Sequence, residues 1–123
     1  MQQALERAAT ALGQGDLATT ETLCRRLLDA EPSLVDALNL LSLVRKRQGD
    51  AAAAESLMKQ ALALDSRRPD IRGNLANLYR GLKRNAEAET EYRRALALAS
   101  GFRAARLGLA QLMLDVGRAD EDR

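Results

Sequence analysis

The chain has 123 residues, enough for one small domain, and 46% of them are hydrophobic while only 2% are aromatic. A core with so few rings must be built from Ala and Leu on closely packed helices, so the composition predicts an all-α fold. Nineteen basic and 17 acidic residues leave a net charge of +2, an excess too small to indicate a nucleic-acid partner. Because histidine is absent, a Ser-His-Asp or Cys-His catalytic arrangement and a histidine metal site are excluded.

Cys24 is the single cysteine, so an intramolecular disulfide is excluded, and its place among leucines on a predicted helix indicates a small buried hydrophobic group. No apolar run approaches the roughly 18 residues that a membrane span requires. Residues 1–10 lack the cationic start and apolar middle of a secretory signal. We therefore expect a cytoplasmic protein without a membrane partner, a cofactor or a metal.

The chain repeats itself with a period of about 34 residues, which leads from Glu21 to Glu55 and then to Glu89. A fixed period of this length indicates a repeat array. We predict a single array whose units are residues 1–34, 35–68 and 69–102, followed by a partial unit or capping helix at residues 103–123.

In chain order, hydrophobic residues at helical spacing predict two antiparallel helices for each full unit and one for the partial unit, seven in all. Pro69 suits the first turn of the helix that it opens. The first two units turn at Gly-Asp pairs, whereas the third has Lys83, Arg84 and Asn85, so its corner must form without glycine. The predicted helices of the first two units span residues 2–12, 17–30, 36–48 and 51–64.

Small residues recur at two places of the unit, where a bulky side chain would force neighbouring helices apart. Larger residues fill a third place. Because no unit can bury both of its faces, neighbouring units must stack. The small places hold Ala8, Ser42, Ala76 and Ala110, and Thr20, Ala54 and Ala88, while the larger place holds Cys24, Met58 and Tyr92.

With this pattern the chain resembles the tetratricopeptide repeat family over nearly its whole length. In the second unit Ser42, Ala54 and Ala61 stand at the three small places of that family, and Tyr79 keeps its aromatic place in the third. The resemblance implies an all-α, right-handed superhelical solenoid of antiparallel helix pairs. It also implies that the first helix of each unit lines a concave groove, where a protein or peptide partner would bind.

The resemblance also implies which residues of these first helices face the groove, because each position of the family's repeat has an equivalent residue in this sequence. The side-chain amides of Asn39, Asn74 and Asn77 each offer a donor and an acceptor, so they could pair with the backbone of an extended peptide. The alternative is that they are ordinary exposed polar residues. The candidate peptide-binding residues are Asn39, Leu43, Lys46, Arg47, Asn74, Asn77, Arg80 and Gln111.

Basic residues gather near the ends of the groove helices, and the two middle units both have a positive net charge. A plain role in solubility is one interpretation of these charges, and the other is that the cluster binds an acidic or carboxylate-bearing partner. The clamp that chaperone-tail-binding members use is absent, because its places hold Leu5, Ala9, Leu40, Asp70 and Asn74. The basic residues are Arg45, Lys46 and Arg47, then Arg80, Lys83 and Arg84.

Carboxylates four residues apart, such as Glu87 and Glu91, are one possible pair for acid-base chemistry. Each lies near a basic side chain, Arg84 or Arg94, so a solvated helix face is the better interpretation. We predict no catalytic residue in the chain.

The predicted last helix is more apolar than the end of a repeat array normally is, since such an end turns a polar face to water. We expect this face to drive self-association into a homo-oligomer. Its residues are Leu107, Leu109, Leu112, Met113 and Val116.

Taken together, these features predict a protein-protein interaction scaffold and not an enzyme. The alternative is a regulatory or substrate-recruiting region of a larger enzyme, such as a glycosyltransferase or a sulfotransferase. RNA binding is disfavoured, because repeat arrays that bind RNA stack bases on aromatic side chains, which are scarce here.

Overall fold

The computed structural model describes residues 1–121. They form the helices α1 (Gln2–Gly13), α2 (Leu17–Ala30), α3 (Val35–Arg47), α4 (Ala51–Leu64), α5 (Pro69–Gly81), α6 (Asn85–Leu98) and α7 (Arg103–Glu121). The predicted number and type of elements are therefore confirmed for this part of the chain. Helices α2 and α4 begin and end at the predicted residues, and α1 and α3 lie within one residue of the predicted bounds.

The chain forms two compact units, which are described separately. Unit 1, Met1–Ser66, contains α1 to α4, in which α2 packs against α1 and α3, and α3 packs against α4. Unit 2 begins at Arg67 and contains α5 to α7, in which α6 packs against both other helices. No helix in the described residues has the length and apolar character needed to cross a membrane.

A left-handed corner follows the first helix of each full repeat. Its φ angle is 78° at Gly15, 81° at Gly49 and 61° at Lys83. The Lys83 N–H donates to the Arg80 carbonyl at 3.0 Å, and the two glycines make the equivalent bond at the same distance. These bonds satisfy carbonyl groups at the helix end. The prediction that the third corner forms without glycine is confirmed.

Cys24 lies in the core of unit 1 and has no exposed surface. Burial raises the pKa of its thiol to about 11, so the thiol stays protonated near neutral pH. The predicted structural role of this cysteine is confirmed, since a buried, protonated thiol is inert. The core around it contains Ala8, Leu12, Leu23, Leu41 and Val44.

The two small places of the repeat are fully buried in all three full repeats. The buried hydroxyl of Thr20 has hydrogen-bond partners there, because its Oγ1 donates to the Ala8 carbonyl at 3.3 Å and to the Asp16 carbonyl at 2.9 Å. The fourth repeat differs, since Ala110 is exposed. Helix α7 instead buries a stripe formed by Ala105, Gly108 and Leu112.

Candidate functional site

The predicted binding residues of unit 1 lie along one side of α3. Asn39, Leu43 and Lys46 follow one another at the spacing of a single helix face. Leu43 is half-buried because it packs against the core of unit 1, whereas Lys46 is exposed. Together with Arg47, these residues are called the unit 1 face.

The basic residues of α3 are engaged within unit 1. The Arg45 guanidinium makes a 2.7 Å ion pair with Glu21 and a 2.9 Å hydrogen bond to the Gln48 side chain. The hydrogen bond from Arg45, with one from a second arginine, lowers the pKa of Glu21 to about 2. Arg47 donates from Nη1 to the Leu12 carbonyl at 2.6 Å. The ion pair with Glu21 offsets the charge of Arg45, whereas Arg47 keeps its full charge because the Leu12 carbonyl is neutral.

In unit 2 the predicted residues Asn74, Asn77 and Arg80 lie on α5 and Gln111 lies on α7; this set is called the unit 2 face. The three residues of α5 are partly exposed and Gln111 is exposed. Arg80 donates from Nη1 to the Gly108 carbonyl at 3.3 Å, which joins α5 to α7. Gln111 donates from Nε2 to an aspartate on its own helix at 2.9 Å.

Tyr92 of α6 supports the unit 2 face from within the core. Its side chain is fully buried, and its hydroxyl donates to Oδ1 of Asn77. Burial raises the pKa of the Tyr92 hydroxyl, although the charge of Arg80 opposes this effect. The sequence interpretation treated this residue only as a space filler. The signal that could have identified the contact was the hydroxyl itself, since a buried tyrosine usually needs a hydrogen-bond partner.

The two carboxylates of α6 differ in environment. Glu87 is half-exposed and pairs with Arg84 at 2.7 Å, as expected from the sequence. Glu91 is buried, and it pairs with Arg72 of α5 at 3.0 Å and with Arg94 at 2.7 Å. The expectation of a solvated face is therefore wrong for Glu91. Its two cations compensate the charge that it buries and join α5 to α6.

The apolar residues of α7 do not form one exposed face. Leu112 has no exposed surface, so its assignment to a self-association face is wrong. Leu107 is 59% exposed and lies on the same side of α7 as Gln111 of the unit 2 face. Self-association through α7 stays a prediction for Leu107, which lies on the Gln111 side, and for Leu109, Met113 and Val116, which lie on a separate strip of the helix.

Residues 46–95 match the sequence profile of the tetratricopeptide repeat. No curated protein is significantly similar to the chain in sequence. Among solved structures, the chain is similar to a mutant O-GlcNAc transferase of Thermobaculum terrenum, with 28% identity and a TM-score of 0.87 over 91% of this chain. The chain spans only 22% of the length of that transferase chain.

Two further similar structures contain bound peptides. One is the first TPR domain of Spaghetti (RPAP3) with the HSP90 peptide SRMEEVD, which is 20% identical with a TM-score of 0.83 over 93% of this chain and 90% of that chain. The other is the Yersinia enterocolitica chaperone SycD with a peptide of the translocator YopD, which is 16% identical with a TM-score of 0.79 over 93% and 92% of the two chains. These similarities confirm the fold class predicted from the sequence.

Proposed function

We propose that this chain, whose residues 46–95 match the tetratricopeptide repeat, is a protein-interaction module that binds an extended peptide segment of a partner protein. The observation that carries the proposal is the unit 2 face, where Asn77 and Arg80 are held by α6 and α7 while remaining partly exposed. Side chains that are fixed before a partner arrives lose less conformational entropy on binding. Leu107 adds an exposed apolar contact on the Gln111 side of α7.

A peptide as the class of partner is supported by the two similar structures that contain one, those of Spaghetti and SycD. Those structures share the fold of this chain at 20% and 16% identity. The specific contacts of the present chain therefore rest on its own residues.

An acidic partner segment is the second part of the proposal. Lys46 on α3 and Lys83 after α5 are exposed, and Arg80 is partly exposed. The pairing of Arg45 with Glu21 moderates the positive potential of unit 1. Such a contact would be steered by charge and weakened by salt.

The experiment is a display screen of unstructured peptides, followed by fluorescence anisotropy with the enriched sequences. We expect saturable binding that the double change Asn74→Ala and Asn77→Ala weakens at least about tenfold, the equivalent of about 1.4 kcal/mol. A matched control changes two exposed polar residues of second helices, Gln60→Ala and Thr90→Ala, and should bind as the wild type does. Equal binding by both double variants would exclude the unit 2 face as the binding site.

A second candidate function is a substrate-recruiting region of a larger enzyme, and the similarity to the Thermobaculum terrenum transferase favours it. The chain would then supply repeats while catalysis takes place in another domain. The gene sequence that follows the codon for residue 123 tests this proposal. A transferase domain in the same reading frame would support it, and a stop codon at that point would contradict it.

A further inference from the structure

Asn77 and Tyr92 occupy two places that recur in every full repeat. The third repeat is the only full repeat in which both of these places hold a polar residue. In the structure the two side chains are joined by a hydrogen bond. The same two places hold Ala9 with Cys24 in the first repeat and Leu43 with Met58 in the second.

We propose that Tyr92 is a positioning residue that orients the Asn77 amide so that its Nδ2 group faces outward as a donor, which selects ligands carrying an acceptor oxygen. The proposal rests on the proposed peptide-binding function and adds a chemical preference to it. The acceptor oxygen can be a peptide carbonyl or a carboxylate, and these two sources are distinguished below.

The Tyr92 ring is tightly packed beside Asn77. It has no exposed surface, and it rests against the backbone of α7 so closely that a Cβ at Gly108 would lie 2.5 Å from a ring carbon. The hydrogen bond to Asn77 shows that the hydroxyl points toward the unit 2 face. Because burial raises the pKa of Tyr92 against the opposing charge of Arg80, the hydroxyl keeps its proton at neutral pH and donates it.

A side-chain amide can otherwise turn either its oxygen or its nitrogen toward a neighbour. Since the Tyr92 hydroxyl donates to Oδ1, the Asn77 oxygen is engaged with the core. We infer that the NH2 group, on the other side of the amide, is the part of the side chain that a ligand can reach. Arg80, which is partly exposed one helical turn later on the same side of α5, has a guanidinium that can only donate. Because Asn77 and Arg80 both present donors on one side of α5, we expect this surface to bind a ligand that offers an acceptor oxygen and to reject a ligand that offers only donors.

The test is an NMR titration of the full chain with three small probes at constant ionic strength. Sodium acetate presents a carboxylate, N-methylacetamide presents a peptide carbonyl, and methylammonium chloride presents only donors. We expect saturable shifts of the Asn77 side-chain and backbone amide signals with acetate or N-methylacetamide, and none with methylammonium. The amide of Gln60, exposed on α4, serves as an internal control.

Two variants separate orientation from simple charge attraction. Tyr92→Phe removes only the hydroxyl, so the amide can adopt both orientations and the dissociation constant should rise about twofold or more. Asn77→Asp keeps an acceptor for Tyr92 and removes the donor, so the backbone amide of residue 77 should lose its response to N-methylacetamide, a neutral probe that the new carboxylate does not repel. A superimposable pattern of the remaining amide signals confirms that each variant is folded.

A response to acetate alone would identify a carboxylate as the preferred group, and a response to both oxygen probes would include the peptide carbonyl. Equal shifts with all three probes, or an unchanged dissociation constant in Tyr92→Phe, would overturn the proposal. The titration needs no partner peptide. A failed display screen with a responsive Asn77 would therefore count against the proposed function alone, and the reverse pattern would count against the orienting role of Tyr92 alone.

Discussion

Replacing Lys83 by glycine should stabilise the protein. Lys83 is the non-glycine residue with a positive φ angle in the described chain, and it occupies the corner that Gly15 and Gly49 form in the preceding repeats. A side chain in this left-handed region brings its Cβ close to the backbone, whereas glycine has no such contact. Lys83→Gly therefore removes local strain while the hydrogen bonds of the corner stay in place.

The size of the effect follows from two opposing contributions. A residue with a Cβ in the left-handed conformation costs about 1–2 kcal/mol. Glycine has more freedom in the unfolded chain, which costs about 0.4–1 kcal/mol on folding. The difference favours Lys83→Gly by about 0.7 kcal/mol. For a chain of this size, that gain corresponds to a rise in Tm of about 3 °C.

The assay is thermal and urea unfolding followed by circular dichroism. Lys83→Ala is the matched control for charge, because it removes the ammonium group but keeps the strained Cβ, and it should leave Tm nearly unchanged. Gly49→Lys is the reverse substitution. A Cβ at Gly49 would meet no atom within 4 Å, so its loss of stability should come from the backbone alone and match the gain in Lys83→Gly. A lower Tm for Lys83→Gly, or an unchanged Tm for Gly49→Lys, would refute this reasoning.

Three further predictions concern packing and charge. Because the pKa of Glu21 is about 2 instead of 4.5, its ion pairs stabilise the fold above pH 4.5 and are lost toward pH 2. Glu21→Gln should thus lower the urea midpoint at pH 7 but not near pH 2, and an equal loss at both would contradict the assignment. Gly108→Ala should cost about 1–3 kcal/mol because its Cβ would overlap Tyr92. Gly101→Ala, which meets no such neighbour, is the control in thermal melts, and equal losses would exclude the overlap as the cause. Cys24 should react with a thiol reagent only after unfolding in urea, so rapid labelling of the native protein would contradict its burial.

The sequence by itself determined the helices, the corners and most of the buried places. These features depend on residues that are close in the chain. Asp16, for example, accepts a hydrogen bond from the Thr19 N–H at 3.1 Å and so begins α2 where the sequence predicts. The 34-residue period then predicted burial at equivalent places, and it was right for Ala54 and Ala88. The same local reasoning predicted a corner without glycine at residues 83–85, and the structure places the positive φ angle at Lys83.

Only the tertiary structure decided how α7 is rotated and which polar side chains meet across helices. The repeat pattern alone could not place Leu112 inside, because α7 buries the stripe that fits α5 and α6 and not the stripe richest in leucine. It equally could not pair Glu91 with Arg72 or Tyr92 with Asn77, since these contacts join different helices. Such pairs depend on helix packing and side-chain rotamers, which have no periodic signal in a sequence. The candidate site was therefore predicted as a set of residues, and its internal hydrogen bonds were decided by the fold.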